Sequence, residues 1–190
     1  NIGPAFEAKP IRTQESTTRP ALSPQERRSV GALAAIYATR MLGLFLLLPV
    51  LALYARTMPD YSPVLLGLAM GAYGLTQAVL QIPFGRWSDR YGRKPVIAVG
   101  LLFYAAGSLI GAFAHSLAAL FLARLVQGAG AVSAAVTALL ADLTRPEVRT
   151  RAMAFVGISI GLSFILALVL APVLDSVVGV PGIFVIMLAM

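Results

Sequence analysis

The most informative stretch of this chain reads Gly85-Arg86-Trp87-Ser88-Asp89-Arg90-Tyr91-Gly92-Arg93-Lys94-Pro95. It carries four basic side chains and one acid, and it stands between two apolar runs at 64–84 and 96–114. Each run is close to the roughly 20 residues that a helix needs to cross a hydrocarbon core. Basic residues collect in the short cytoplasmic loops of membrane proteins. Residues 85–95, called the 85–95 loop below, are therefore predicted to connect two antiparallel transmembrane helices on the cytoplasmic side.

The composition of the whole chain also favours a membrane protein. Of its 190 residues, 58% are hydrophobic and 12% are charged, and the mean hydropathy is +0.84. A soluble domain carries about twice that fraction of charged residues. The sequence has no cysteine and a single histidine, His115, which excludes disulfide scaffolds, thiolate metal sites and His-rich metal centres. It contains no catalytic triad, phosphate loop or metal cluster, so we expect neither an enzyme nor a bound cofactor.

Six apolar runs follow a polar N-terminal tail. The tail, residues 1–22, is predicted to be disordered and cytoplasmic, because it has three prolines and few large apolar side chains. Ser23 and Glu26 form a capping-box pattern, which predicts that the first helix begins there. The sequence starts with Asn and stops inside the sixth run, so we expect a fragment of a longer chain. The predicted spans are 30–54, 64–84, 96–114, 117–140, 152–174 and an incomplete 182–190.

The distribution of basic residues predicts the orientation of these spans. With the tail in the cytoplasm, twelve of the 15 Lys and Arg residues fall in cytoplasmic segments. Only Arg56 falls on the opposite side, and Arg40 and Arg124 lie within spans. The net charge of +7 is thus a topology signal. A nucleic-acid partner is not expected, because such a partner needs the charges on one continuous face.

Several motifs resemble the major facilitator superfamily. The 85–95 loop matches the family's signature Gly-x-x-x-Asp-Arg-x-Gly-Arg-Arg/Lys at the same place in the topology. Residues 124–130, Arg-Leu-Val-Gln-Gly-Ala-Gly, are similar to the family's fourth-helix motif Arg-x-x-Gln-Gly-x-Gly. Leu42-Gly43 with Pro49-Val50 is similar to the first-helix motif of drug:proton antiporters, and the stretches 73–79 and 153–157 are similar to YajR-type inner-membrane transporters.

The resemblance implies an all-α integral membrane protein. Residues 23–190 would form the N-terminal six-helix bundle of the major facilitator superfamily fold, built from inverted three-helix repeats and truncated in the sixth helix. It further implies a multi-pass protein of the inner (plasma) membrane that is completed by a C-terminal transmembrane half and is then a monomer.

Three functions remain open on this fold. The antiporter-like motifs favour a secondary transporter that exports a small, drug-like molecule by alternating access, coupled to proton entry. A facilitator or importer of organic anions is the alternative, because two arginines and no acid lie in the middle of the spans. A membrane scaffold that transports nothing is the third, although charges inside a membrane are costly to keep.

Seven residues are predicted to form a gating site at the cytoplasmic face. The resemblance implies that Asp89 holds a helix end of the second half, which locks the outward-open state, and that Asp89, Arg93 and Asp142 form a charge relay. Asp142 follows the fourth span, at the negative end of the helix dipole, so it needs a positive partner. The alternatives are a plain topology anchor for the loop and a solvated acid or helix cap for Asp142. The gating site comprises Gly85, Asp89, Arg90, Gly92, Arg93, Lys94 and Asp142.

Five residues within the spans are predicted to line the substrate or proton pathway. An arginine at the centre of a span opposes insertion by about 2.5–3.5 kcal/mol, so it normally faces an aqueous cavity or an ion partner. Arg40 and Arg124 lie roughly 12–16 Å deep in the first and fourth spans, which are equivalent helices of the two repeats. Snorkelling or purely structural hydrogen bonding is the alternative role. The pathway set comprises Arg40, Tyr73, Gln77, Arg124 and Gln127.

Overall fold

The computed structural model describes residues 21–190, and every regular element in that range is an α-helix. Most of the predicted tail, residues 1–20, lies outside the described residues. Five helical segments are long and apolar enough to cross a membrane, with α4 and α5 together counted as one of them. The predicted all-α membrane fold is therefore confirmed for this range. The helices are α1 Pro24–Ala55, α2 Pro63–Tyr91, α3 Arg93–Ala112, α4 Leu117–Ala129, α5 Ser133–Asp142 and α6 Pro146–Ala189.

The first helix begins where the capping box predicts. The Ser23 hydroxyl accepts the N–H of Glu26 at 3.2 Å, and the Glu26 carboxylate accepts the N–H of Ser23 at 2.7 Å. Together they satisfy two of the backbone N–H groups that a helix start leaves without partners. α1 thus begins six residues before the apolar run that starts at Val30.

The connection between α2 and α3 is shorter than the sequence predicts. α2 continues through Tyr91, and α3 begins at Arg93, so a single residue separates them. That residue, Gly92, has φ 94°, a conformation that side chains disfavour. Gly85 lies inside α2 and makes no turn, so Gly92 alone turns the chain between the two helices. The four basic residues of the 85–95 loop therefore lie in the last turns of α2 and the first turn of α3, and not in a flexible loop.

The fourth span is interrupted, although the sequence predicts one continuous helix over 117–140. α4 ends at Ala129 and α5 begins at Ser133. At this break the backbone of α3 comes close, because a Cβ on Gly130 would collide with the carbonyl oxygen of Gly100. Glycine on both sides permits this approach. The interruption lies one turn beyond Gln127, so it borders the predicted pathway.

α6 contains a second break. Gly179 has φ 65° and ψ 176°, and the helix resumes after it with Pro181 in its first turn. The resumed segment packs Ile183, Phe184 and Met187 into the core. The sixth run thus begins just after Gly179, slightly before the predicted start at 182.

Two apolar clusters form the core of the bundle. One lies toward the end of the bundle where α1 begins and includes Val30 and Phe84, and the other lies toward the opposite end and includes Leu47 and Phe184. Along α1, Arg40 falls between the residues that contribute to the two clusters. The packing therefore leaves a layer near mid-depth in which polar side chains are enclosed.

The close contact of α4 with α2 predicts that a larger residue in place of Gly128 destabilises the protein. A Cβ on Gly128 would lie 3.0 Å from the Cα and carbonyl carbon of Tyr73, and closer still to its oxygen. Because these are backbone atoms, Gly128→Ala must separate the helices, and it should lower the free energy of unfolding by about 1–3 kcal/mol. Gly157→Ala is the control, since nothing lies within 4 Å of its added Cβ. Thermal unfolding in detergent measures both, and equal stabilities would contradict this packing.

Candidate functional site

Arg124 is enclosed by residues from three helices. Its side chain is only 1% exposed. Its Nη1 donates to the Gln127 Oε1 at 3.0 Å, and its guanidinium carbon lies 4.8 Å from the centre of the Tyr73 ring. The Gln127 Nε2 in turn donates to the Ser108 hydroxyl at 3.0 Å. The structure thus brings Arg124, Gln127 and Tyr73 together, and it adds Ser108 on α3.

Arg40 lies in the same mid-depth layer of the bundle, but its contacts are longer than those of Arg124. It is 3% exposed, and its Nη2 is 3.5 Å from the Gln77 Oε1, at the limit of a hydrogen bond. Its guanidinium carbon is 5.7 Å from the centre of the Tyr104 ring, and the Tyr104 hydroxyl donates to the Arg40 carbonyl at 3.4 Å. Arg40 and Tyr104 also line a cavity of about 210 Å³. Arg40 and Gln77, two residues of the predicted pathway set, are therefore in contact, and Tyr104 also contacts Arg40.

The contacts around Arg124 and Arg40 together involve seven residues, which we call the central polar layer. It unites the five predicted pathway residues with two that the sequence does not single out. Tyr104 and Ser108 are isolated polar residues in an apolar span, and no spacing pattern distinguishes them from ordinary packing. The layer comprises Arg40, Tyr73, Gln77, Tyr104, Ser108, Arg124 and Gln127.

Hydrogen-bond donors outnumber acceptors in the central polar layer. Among residues 21–190, four buried side-chain atoms have no hydrogen-bond partner: the Arg40 Nε and Nη1, the Tyr73 hydroxyl and the Arg124 Nε. All four can donate, and the three nitrogens can only donate. No acid of the described range pairs with either arginine. The layer is thus electropositive and is chemically suited to a hydrogen-bond acceptor, above all an anionic one.

Three residues of the predicted gating site meet at Arg93, where α3 begins. As the first residue of α3, it forms an ion pair with Asp89, and its Nε donates to the Asp142 Oδ2 at 3.1 Å. Its Nη1 also donates to the hydroxyl of Ser88, a buried residue that the sequence analysis does not single out. The side chains of Asp89 and Asp142 remain 66% and 57% exposed. Both acids can therefore contact a further group while they bind Arg93.

The other predicted gating residues do not join this contact. Gly85 lies within α2, and Gly92 makes the turn into α3. Arg90 is exposed, with its guanidinium carbon 5.6 Å from the centre of the Tyr91 ring. Lys94 is exposed and borders an apolar groove between α1 and α3.

On the opposite face, Asp60 holds the start of α4. Its Oδ1 accepts the N–H of Leu117 at 2.8 Å, and its Oδ2 accepts that of Ala118 at 3.1 Å. These bonds, chiefly the one from Leu117, lower the pKa of Asp60 below its usual value. The carboxylate therefore stays ionised and fixes the entry of the helix that carries Arg124.

The hydrogen bonds of the central polar layer predict unequal effects for two substitutions. Gln127→Leu leaves the Arg124 Nη1 without its acceptor and removes the bond that the Ser108 hydroxyl accepts, although that hydroxyl still donates to the Tyr104 carbonyl at 2.8 Å. It should therefore cost about 1–3 kcal/mol of stability. Tyr73→Phe removes a hydroxyl that has no partner within residues 21–190, and it keeps the ring beside Arg124. It should change stability by less than about 0.5 kcal/mol. Thermal unfolding in detergent tests this order, and the reverse order would refute the hydrogen-bond assignment.

Comparison with known proteins identifies the family. Residues 33–190 match the Major Facilitator Superfamily. The chain is 50% identical over 163 residues to the inner membrane transport protein YajR of Escherichia coli, a match that covers 86% of this chain and 36% of YajR. It is 32% identical over 121 residues to multidrug resistance protein 2 of Bacillus subtilis, which covers 63% of this chain and 30% of that protein.

A solved structure agrees with these matches. The human organic anion transporter MFSD10 (TETRAN) superposes with a TM-score of 0.73 at 26% identity, over 88% of this chain and 46% of that one. The chain thus spans less than half the length of each of these proteins. The resemblance inferred from the 85–95 loop and the fourth-helix motif is confirmed: this chain belongs to the Major Facilitator Superfamily, whose members are membrane transporters and not enzymes.

Proposed function

We propose that this chain is the N-terminal transmembrane half of a secondary transporter that exports a small, drug-like molecule in exchange for protons. The observation that carries the proposal is the central polar layer, where two buried guanidinium groups have three N–H donors without a partner among residues 21–190. Charges at this depth are expensive unless a substrate, an ion or an aqueous cavity compensates them. Transporters with inverted repeats bind their substrates near the membrane midplane. The names of the bacterial relatives, an inner membrane transport protein and a multidrug resistance protein, support efflux across the inner membrane.

The gating site gives this transporter its conformational control. Asp89 is held by Arg93 on one side and is mostly exposed on the other. A carboxylate in that position can bind the positive N-terminus of a helix from the second half. That contact closes the cytoplasmic side and favours the outward-open state. The orientation proposed here keeps the N-terminus in the cytoplasm, and the complete transporter works as a monomer.

Organic anion transport is the second candidate, because the central polar layer contains two guanidinium groups and no carboxylate within the described range. An anionic substrate would satisfy the unpartnered donors directly. The structural neighbour TETRAN, a human organic anion transporter, supports this alternative. A cationic substrate would instead need an acid supplied by the second half. Export of ethidium and of fluorescein from the same proteoliposomes separates the two candidates by the sign of the transported charge.

Asp89→Asn should leave expression and insertion nearly unchanged, because the side chain is 66% exposed. It should nevertheless move the conformational equilibrium toward the inward-open state by about 1–2 kcal/mol and impair transport, since the charge that holds the gate is lost. Distances between labels placed on the two halves of the full-length protein measure this equilibrium. Glu147→Gln, which removes another exposed cytoplasmic acid, is the control. An Asp89→Asn protein that cycles like wild type would refute the gating role.

Arg124 is expected to be essential for coupled transport. A guanidinium stays charged at any physiological pH, so it does not carry the proton. It would hold an anionic substrate group or lower the pKa of a carboxylate that is protonated during the cycle. Arg124→Ala should abolish coupled transport, and Arg124→Lys should retain part of it, because lysine keeps the charge but loses the planar geometry.

Proteoliposome transport measured across a range of pH decides the role of Arg124. Size-exclusion profiles verify that each variant is folded before its rate is compared. Wild-type rates in the alanine variant would mean that Arg124 is purely structural.

A further inference from the structure

Glu26 has a second set of contacts beyond its capping box. Its carboxylate is buried, with the residue 6% exposed, and it forms a two-point ion pair with Arg145. The Arg145 Nε donates to the Glu26 Oε1 at 3.0 Å, and the Arg145 Nη2 donates to the Oε2 at 3.1 Å. The backbone N–H of Arg145 also donates to the Oε1, at 3.0 Å. Two parallel charge-assisted bonds fix both distance and orientation, so the start of α1 is held firmly against the start of α6.

Arg145 and Asp142 stand at the two ends of the turn between α5 and α6. Only Leu143 and Thr144 separate them, and both are bonded to the last turn of α5. The Leu143 N–H donates to the Leu139 carbonyl at 3.0 Å, and the buried Thr144 hydroxyl donates to the Leu140 carbonyl at 2.7 Å. A further bond, from the Arg149 Nη2 to the Ala141 carbonyl at 3.1 Å, ties the first turn of α6 to the end of α5. The turn is therefore stiff, and a displacement of Arg145 is transmitted to Asp142.

We infer that Glu26 and Arg145 are positioning residues for the gating site. Their ion pair holds the turn, the turn holds Asp142 against Arg93, and Arg93 orients Asp89. The inference rests on the proposed gating role of Asp89, Arg93 and Asp142. It links that gate to α1, which also carries Arg40 about 21 Å further along the helix. A movement of α1 when the central polar layer binds its ligand thus reaches the gate through the Glu26–Arg145 ion pair, the turn between α5 and α6, and the ion pairs of Arg93.

The test uses the full-length transporter, labelled on the cytoplasmic ends of the two halves, without any substrate. Glu26→Gln is the informative variant, because glutamine preserves the capping box but removes the charge-assisted pair. It should raise the ratio of inward-open to outward-open molecules by about fivefold, in the same direction as Asp142→Asn. Arg151→Gln is the matched control: it removes an exposed cytoplasmic guanidinium on α6 that forms no ion pair within residues 21–190, and it should leave the ratio unchanged.

A double-mutant cycle separates positioning from a merely structural role. In an Asp142→Asn background the route to Arg93 is already broken, so Glu26→Gln should change the ratio by less than about 1.5-fold. Additive effects would overturn the inference.

The outcomes distinguish this inference from the function on which it rests. If Asp89→Asn leaves the ratio unchanged, the proposed gate is wrong. If Asp89→Asn shifts the ratio and Glu26→Gln does not, the gate stands and the positioning role of Glu26 and Arg145 is rejected. Should Glu26→Gln fail to fold, Arg145→Gln replaces it under the same criteria, because that substitution leaves the capping box intact.

Discussion

The cost of burying a guanidinium group in an apolar bundle is the constraint on which this structure depends. Arg40 and Arg124 are almost completely buried, and no acid within residues 21–190 pairs with either. Within the described part of the chain each has at least one N–H without an acceptor, while aromatic rings and amide groups lie around it. A bundle selected only for stability would replace such residues with apolar ones, because unpartnered buried donors lower stability. These unpartnered donors are the reason for proposing that a ligand binds in the central polar layer and supplies the missing acceptors.

Close helix packing makes that arrangement possible. Gly128 brings α4 against the backbone of α2, and Gly107 brings α3 against Gln127, where an added Cβ would meet the side chain at 2.5 Å. These contacts bring Ser108, Gln127 and Tyr73 within reach of Arg124 and exclude lipid from it. The break between α4 and α5 follows directly, because the backbone of α3 occupies the space that a continuous helix with side chains would need. Small residues thus determine the geometry of the polar side chains beside them.

The sequence predicts the local features of this molecule well and the long-range ones poorly. Helical spans follow from runs of apolar residues, and the family follows from two short motifs, so both could be predicted from neighbouring residues. Gly130 lies within the fourth-helix motif, yet the helix break there depends on the approach of Gly100 from another helix. The pair of Glu26 with Arg145 joins residues 119 positions apart, and each has a sufficient local explanation as a capping residue or a topology charge. Tyr104 and Ser108 gave no signal, because a single polar residue in an apolar span has many ordinary roles.

Two groups of charged residues in this chain differ in how completely their hydrogen-bonding atoms are paired. At the membrane faces, Glu26, Asp60 and Arg93 each have two or more geometrically good bonds, and they connect helix ends to one another. In the central polar layer, the arginines have few bonds and unused donors. The paired charges at the ends resist separation of the helices within the bundle. The arginines in the middle, which have unpaired N–H donors, would gain hydrogen bonds from an acceptor that enters the layer. This division suits the proposed transport cycle, in which rigid-body rocking would require helices that move together around a site whose energy changes when the ligand arrives.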